Sequence, residues 1–223
     1  MSTPSKSVNI DSPINVNQRR NNNLPKISVI MIHSRDKWLK SAIESVERQI
    51  YPNMELIQIE NMDKKRTIGK CWNIGVEKAE GDYCFFMGDD DQITPDYLMC
   101  LMTFIKTVPK KSKMRGVTSY LTAFDEEQKK QVPVKIYPTG MFEKKYLEEN
   151  PFNEKTKKRV DTKYYKDHAE NVAGICYWHY GYFYRQHDNM LSGRSVRFTD
   201  KKNAEIKNGK FSTKPKLNKR IIK

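Results

Sequence analysis

Three consecutive carboxylates, Asp89, Asp90 and Asp91, directly follow the apolar segment Asp82–Met87. Adjacent carboxylates repel one another, and a charged group that leaves water needs a partner of opposite charge or a bound metal ion. The acidic triplet, as we call Asp89–Asp91, therefore has two interpretations. It is either a solvated loop or a site that holds a cation.

The segments around the triplet alternate between strand and helix patterns. Lys26–Ser34 is an apolar run of the kind found in a strand that is buried on both faces. Asp36–Gln49 places its apolar side chains on one stripe of a helix. This alternation predicts right-handed βαβ units and a largely parallel sheet. The other elements predicted in this half are strands at Glu55–Glu60 and Asp82–Met87 and helices at Lys70–Ala79 and Asp96–Thr107.

Acidic residues lie where two of these predicted strands end. Glu60 is the last residue of one strand, and the triplet follows the next strand along the chain. Ligands of open parallel sheets bind beyond the carboxyl ends of the strands. We therefore expect Glu60 and the triplet to face the same crevice.

The second half of the chain has a less regular pattern. Its predicted elements are strands at Gly116–Asp125, Val132–Pro138 and Cys176–His187 and helices at Met141–Glu149 and Val160–Asn171. We expect a flexible arm at residues 1–24, one α/β domain at 25–192 with halves 25–108 and 109–192, and a basic tail at 193–223.

Composition limits the partners and the compartment. The 223 residues have a formal net charge of +14, and residues 201–223 contain nine lysines and arginines against one acid. Such a tail suits nucleic acid, anionic lipid or an acidic polymer, or else reflects a general bias toward lysine. The longest apolar run, Leu98–Ile105, is far short of the roughly 20 residues that span a bilayer. With no signal-peptide pattern and no paired cysteine spacing, we expect the cytoplasm, or a host cytoplasm.

Six motifs around the acidic triplet, in the order in which a known family has them, give the chain a family resemblance. QIYPNMELIQIE, KCWNIG and AEGDY precede the triplet, a P-D-Y-L helix follows it, and YPTGMFEKKYLEENPFNE and YFYRQHDNMLS come later. From Ile27 to about Ser192 the chain resembles the family 2 glycosyltransferases of the GT-A type. The resemblance implies a Rossmann-like, mostly parallel central sheet flanked by helices, which binds a nucleotide-diphospho-sugar.

The resemblance also implies a divalent cation, Mn²⁺ or Mg²⁺, at a D-x-D motif. Asp91 is then the first choice for direct metal contact, and Asp89 either shares the metal or faces the donor. Many relatives have aspartate where this chain has Gly88, so the motif is either Asp89 with Asp91 or Asp90 with Asp91. His187, in the Y-R-x-H element, is implied as a further contact to metal or diphosphate.

Other positions of the resemblance suggest contacts to the donor. Glu60 stands where relatives have an aspartate that accepts from the nucleotide base, which favours uracil or thymine. The residues implied in nucleotide-sugar binding are His33, Arg35, Glu60, Lys70, Asn73, Asp89, Asp90 and Arg185. For Lys70 and Asn73 a solvated helix face is an equally good interpretation, and for Arg185 the alternative is an ion pair with a surface acid.

Inverting transfer requires a general base for the acceptor hydroxyl. In relatives this base is the aspartate of an E-D pair before the Y-R-x-H element, which corresponds here to Asp161. Val160 replaces the glutamate of the pair, and Asp167 and Glu170 are the alternatives.

The expected function is metal-dependent, inverting transfer of a hexose or pentose from a nucleotide sugar, with UDP favoured. The acceptor is either a polyanion, such as DNA with hydroxymethylated bases, or a glycan or lipid-linked sugar. The other hypotheses are a basic nucleic-acid-binding protein without catalysis and a transferase fold that binds the donor without turning it over.

Overall fold

The structure, a computed structural model, describes residues 24–109, 112–135, 140–169, 172–187, 195–196 and 206–207. The helices are α1 Leu39–Glu47, α2 Ile68–Lys78, α3 Tyr97–Thr107, α4 Lys144–Glu149 and α5 Val160–Tyr164, the last continued by a π-helical turn, Tyr165–Ala169. The strands are β1 Ile27–His33, β2 Met54–Glu60, β3 Tyr83–Gly88, β4 Gln92–Ile93, β5 Gly116–Ser119, β6 Leu121–Asp125, β7 Gln131–Val134, β8 Gly140–Glu143, β9 Ala173–Cys176, β10 Tyr182–Gln186, β11 Ser195–Val196 and β12 Ile206–Lys207.

A six-stranded sheet with the order β2-β1-β3-β8-β5-β9 forms the centre of the domain. Strand β1 pairs in parallel with both β2 and β3, β5 pairs in parallel with β9, and only β8 runs antiparallel to its neighbours. This confirms the α/β class and the mostly parallel sheet. Because β1, β2 and β3 run in the same direction, their carboxyl ends, at His33, Glu60 and Gly88, lie at one edge.

Helices cover both faces of this sheet. Along β1, Val29 and Met31 pack into one apolar cluster with α1 and α3, whereas Ile30 and Ile32 pack into a second cluster with α2. Successive side chains of a strand point to opposite faces, so a strand covered on both sides must be apolar throughout. This explains why all seven residues of β1 are buried, Ser28 and His33 included.

A second sheet, of order β4-β10-β6-β7, lies beyond the acidic triplet. Strand β10 lies between β4 and β6, and β4 begins immediately after Asp91. The second sheet therefore brings the Y-R-x-H element next to the triplet, although about 95 residues separate them.

Three predicted elements of the second half have different bounds in the structure. The predicted strand Gly116–Asp125 is interrupted at Tyr120, so that β5 joins the central sheet and β6 joins the second. The predicted strand Cys176–His187 is interrupted by a turn in which the Gly181 amide donates to His179 Nδ1. The predicted helix Met141–Glu149 begins only at Lys144, because Met141 and Phe142 are buried in the strand that joins β3 to β5.

Residues 1–23 and most of the basic tail lie outside the described residues, so the predicted arm and tail stay predictions. Of the predicted tail, only the short antiparallel pair β11 and β12 is described. Within the described part of the chain, no helix is both long and apolar enough to cross a bilayer.

Candidate active site

Asp89 fixes the loop between β1 and α1. Its Oδ2 accepts hydrogen bonds from the backbone amides of Ser34 (2.5 Å) and Arg35 (2.6 Å), and its Oδ1 lies 3.1 Å from Arg35 Nη2. The side chain is fully buried, and burial raises the pKa of the carboxyl although Arg35 opposes this shift. Both oxygens of Asp89 are thus engaged by the protein.

Asp91 joins the triplet to the second sheet. Tyr182 donates its hydroxyl to Oδ2 at 2.6 Å, and the Arg185 amide donates to Oδ1 at 3.1 Å. Burial, together with the neighbouring Asp90, raises the pKa of Asp91 well above its usual range. The sequence prediction made Asp91 the first metal ligand, whereas the structure uses both of its oxygens to hold β10.

Asp90 is the most exposed member of the triplet. Its Oδ2 lies 3.0 Å from both Arg35 Nη1 and His187 Nε2. No described residue donates a hydrogen bond to its Oδ1, and the side chain keeps 14% of its surface exposed. These contacts move the proposed metal-ligand role from Asp91 to Asp90.

Gly88 is explained by the position of Asp90. A Cβ atom at residue 88 would lie 2.5 Å from Asp90 Oδ1, closer than such contacts occur. An aspartate at 88, as in many relatives of the resembled family, would force Asp90 into another position. The glycine at position 88 therefore permits the observed position of the Asp90 carboxylate.

His187 completes the group at the edge of the sheet. Its ring packs on Trp38, with 4.6 Å between the ring centres, and Nε2 lies 3.1 Å from Arg35 Nη1. The side chain is buried, so its position is set by packing as well as by Asp90. Asp90, His187 and Arg35 therefore meet through three side-chain atoms about 3 Å apart.

Arg185 binds the backbone next to this group. The side chain is 1% exposed, and it donates from Nε to the Asp90 carbonyl (2.8 Å) and from Nη1 to the Glu126 carbonyl (2.9 Å). Its guanidinium lies 4.4 Å from the Phe124 ring centre and 5.2 Å from that of Trp38. The sequence suggested that Arg185 contacts the donor or pairs with a surface acid. Its buried contacts instead favour a role in positioning Asp90.

His33 and Glu60 lie side by side at the edge, as partners in the β1–β2 register. His33 Nε2 lies 2.8 Å from Asp36 Oδ1, while its buried Nδ1 has no hydrogen-bond partner among the described residues. Glu60 is exposed, and its carbonyl accepts from Arg66. The exposed Glu60 carboxylate is consistent with the expected contact to a nucleotide base, whereas the buried Nδ1 of His33 is not accessible to one.

Lys70 and Asn73 have partners within the protein. Lys70 Nζ lies 3.2 Å from Glu154, and the Asn73 side chain exchanges hydrogen bonds with the backbone of Phe152. Both side chains thus hold the segment before α5 on helix α2. This placement favours a structural role over the suggested contact to the donor.

Asp161 lies in the first turn of α5. Burial raises the pKa of the nearby Tyr165 hydroxyl, and the Asp161 carboxylate adds to this shift. The Tyr165 hydroxyl in turn lies beside Gly140, which pairs with Phe86 two residues before Gly88. Asp167 is exposed on the π-helical turn, and Glu170 lies outside the described residues.

Two aromatic residues were not singled out from the sequence as part of the site. Trp38 fits the apolar stripe of a helix and Tyr182 fits an alternating strand, so both are explained by core packing alone. In the structure Trp38 instead packs on His187, and Tyr182 binds Asp91. A single sequence contains no signal that separates these roles.

A separate group of possible metal ligands lies at the start of α3. Asp96, Cys100 and His179 each offer one ligand atom, all within 4.8 Å of one another. However, His179 Nδ1 accepts from the Gly181 amide while Nε2 lies 3.2 Å from Asp96, so the protein already uses both ring nitrogens. A metal would have to displace one of these hydrogen bonds.

Known proteins share both the sequence pattern and the fold. The model of the glycosyl transferase family 2 matches residues 57–164. The crystal structure of residues 1–349 of TarS from S. aureus in complex with UDP-GlcNAc superposes with a TM-score of 0.61 at 16% identity, over 74% of this chain and 60% of that chain. The corresponding complex with UDP gives a TM-score of 0.59 at 17% identity, over 72% and 60% of the two chains.

The chain has the GT-A fold of the family 2 glycosyltransferases. A protein from Haemophilus influenzae, described as an uncharacterized glycosyltransferase, is 32% identical over 108 residues, which cover 37% of this chain and 43% of that protein. The match thus covers less than half of the length of this relative. The resemblance noted in the sequence is confirmed by the family model over residues 57–164 and by the GT-A fold.

Proposed function

We propose that the GT-A domain transfers a sugar from a nucleotide sugar to an acceptor hydroxyl. The observation that supports this most directly is the group formed by Asp90, His187 and Arg35 at the carboxyl edge of the central sheet. Ligands of such sheets bind at this edge. The group combines an open carboxylate with two nitrogen ligands or donors, which suits a cation and a diphosphate.

The donor set fits Mn²⁺ or Mg²⁺. No described residue donates a hydrogen bond to Asp90 Oδ1, and His187 Nε2 lies 3.0 Å from the other carboxylate oxygen. Such ions are commonly held by one or two protein ligands together with substrate phosphates and water. When bound, the cation would stabilise the negative charge that develops on the departing diphosphate.

UDP-sugars are the favoured donors. Glu60 and His33 lie next to each other at the ends of β2 and β1, where the Glu60 carboxylate can accept from the ring N–H of uracil. The fold matches TarS structures in complex with UDP-GlcNAc and with UDP. We propose that the base binds at Glu60 and that the diphosphate lies toward Asp90.

Binding of the donor can be tested by thermal unfolding with a panel of nucleotide sugars. We expect UDP-sugars with Mn²⁺ to raise the unfolding temperature, because a ligand that binds only the folded state stabilises it. ADP- and GDP-sugars serve as matched controls for the base. If no nucleotide sugar raises the unfolding temperature with or without Mn²⁺, the proposed function is wrong.

Asp161 is the proposed general base of inverting transfer. Its carboxylate takes the proton of the acceptor hydroxyl, whose oxygen forms a bond to the anomeric carbon while the bond to the nucleotide diphosphate breaks. Asp161→Asn should therefore lower sugar transfer about 100-fold or more and leave UDP binding unchanged. Transfer is measured as UDP release that depends on acceptor.

Asp167→Asn is the control for this prediction, since Asp167 is exposed on the turn that follows α5. Its transfer rate should match that of the wild type. A loss of transfer in Asp167→Asn, with Asp161→Asn still active, would assign the base to Asp167.

The acceptor is proposed to be a polyanion, such as DNA with hydroxymethylated bases. The net charge of +14 supports an anionic partner over a neutral glycan. Binding of plain duplex DNA should then weaken steeply with salt, because bound counterions are released. No affinity for the duplex at low salt would favour a glycan or lipid-linked acceptor.

A further inference from the structure

The guanidinium of Arg35 lies between the groups that would hold a cation. Its Nη1 is 3.0 Å from Asp90 Oδ2 and 3.1 Å from His187 Nε2, and its Nη2 is 3.1 Å from Asp89 Oδ1. Arg35 therefore bridges two carboxylates of the triplet and reaches the histidine as well. A divalent ion bound by Asp90 and His187 would meet this positive charge at close range.

The position of Arg35 is fixed at its backbone while its end is accessible. The Arg35 amide donates to Asp89 at 2.6 Å, which holds the start of the side chain. The side chain itself keeps 21% of its surface exposed, in contrast to the buried Arg185. Release of the guanidinium from Asp90 would leave this backbone contact with Asp89 in place.

We propose that Arg35 acts as an internal cation, which neutralises Asp90 until the nucleotide diphosphate arrives. Mn²⁺ alone must displace the guanidinium from Asp90 and therefore binds weakly. A diphosphate offers Arg35 a new anionic partner, since guanidinium groups bind phosphate through paired hydrogen bonds. Metal and nucleotide then bind cooperatively, an inference that rests on the proposed function because it assumes a nucleotide diphosphate as ligand.

Titration of Mn²⁺ followed by the electron paramagnetic resonance of the free ion tests this inference without any turnover. Without UDP, Arg35→Gln should bind Mn²⁺ at least about tenfold more tightly than the wild type, because a positive charge next to Asp90 is removed. With UDP, the affinity of the wild type should rise toward that of Arg35→Gln. The enhancement by UDP should be smaller in the variant.

Lys37→Gln is the matched control. It removes the same charge from the same loop, but Lys37 is exposed and pairs with Glu126. Its affinity for Mn²⁺ should stay within about twofold of the wild type, since exposed charges are screened by water and salt. If the affinity for Mn²⁺ rises equally in Lys37→Gln and Arg35→Gln, the net charge of the protein explains the effect and the inference is wrong.

Arg35→Lys provides a second variant in case the loss of both bridges to the triplet unfolds Arg35→Gln. A lysine has one ammonium group and cannot bridge Asp89 and Asp90 as the guanidinium does. The Arg35→Lys protein should therefore also bind Mn²⁺ more tightly than the wild type. If folded Arg35→Gln or Arg35→Lys binds Mn²⁺ with the same affinity as the wild type, the inference is wrong. In that case, an effect of UDP on Mn²⁺ binding would still support the proposed function. Conversely, tighter Mn²⁺ binding in the variants with no effect of UDP would contradict the proposed donor.

Discussion

Asp90→Asn is expected to lower donor turnover about 100-fold or more while the protein stays folded. The substitution removes the negative charge of the open carboxylate in the triplet, and such electrostatic contributions to a transition state are typically of this size. The protein should lose about 1–3 kcal/mol of stability, because the Asp90 oxygen that pairs with Arg35 and His187 becomes part of an uncharged amide. The rate is measured as UDP release and the stability by urea unfolding.

Asp91→Asn is the matched control, since it is the same substitution one residue later. Asn offers one acceptor oxygen, whereas Asp91 accepts from both Tyr182 and the Arg185 amide. One buried donor would lose its partner, at a cost of about 1–3 kcal/mol in the free energy of unfolding. Loss of turnover in Asp91→Asn without loss of stability, together with an active Asp90→Asn, would restore Asp91 as the metal ligand.

Arg185→Ala is expected to cost about 3–5 kcal/mol in the free energy of unfolding. The fully buried guanidinium holds two backbone carbonyls, and its stem and head pack between Phe124 and Trp38. Its removal leaves a cavity and unpaired buried acceptors, both of which are destabilising. Urea unfolding followed by circular dichroism gives the change in free energy.

Arg115→Ala serves as the control for Arg185→Ala. Its side chain is 42% exposed and lies 3.7 Å from Glu143, so the substitution should cost less than about 1 kcal/mol. An Arg185→Ala protein as stable as Arg115→Ala, with weaker donor binding, would show that Arg185 contacts the donor instead of supporting the triplet.

The first three strands of the central sheet could be predicted from the sequence, because they are rich in apolar residues and alternate with helix patterns. The second half was predicted less well. Met141 and Phe142 fit a helix pattern, and only their pairing with β3 and β5 makes them part of a strand. Such pairing between distant segments leaves no local pattern in the sequence.

The sequence predicts a candidate site at the sheet edge, where the structure brings the triplet and His187 together, but the roles within this group depend on side-chain partners. Three adjacent aspartates look alike in the sequence. In the structure Asp89 binds the loop after β1 and Asp91 binds β10, whereas Asp90 keeps one carboxylate oxygen to which no described residue donates a hydrogen bond. The partner residues come from segments about 55 and 91 positions away, which a single sequence does not reveal.

Calorimetric titration of UDP into the wild type and into Asp90→Asn, with Mn²⁺ and with EDTA, tests the central claim most directly. We expect UDP to bind the wild type in Mn²⁺ and to bind at least about tenfold more weakly in EDTA or in Asp90→Asn, because the diphosphate loses the cation held at Asp90. Equal affinity under all of these conditions, or no binding of UDP to the wild type, would contradict a nucleotide-sugar site centred on Asp90.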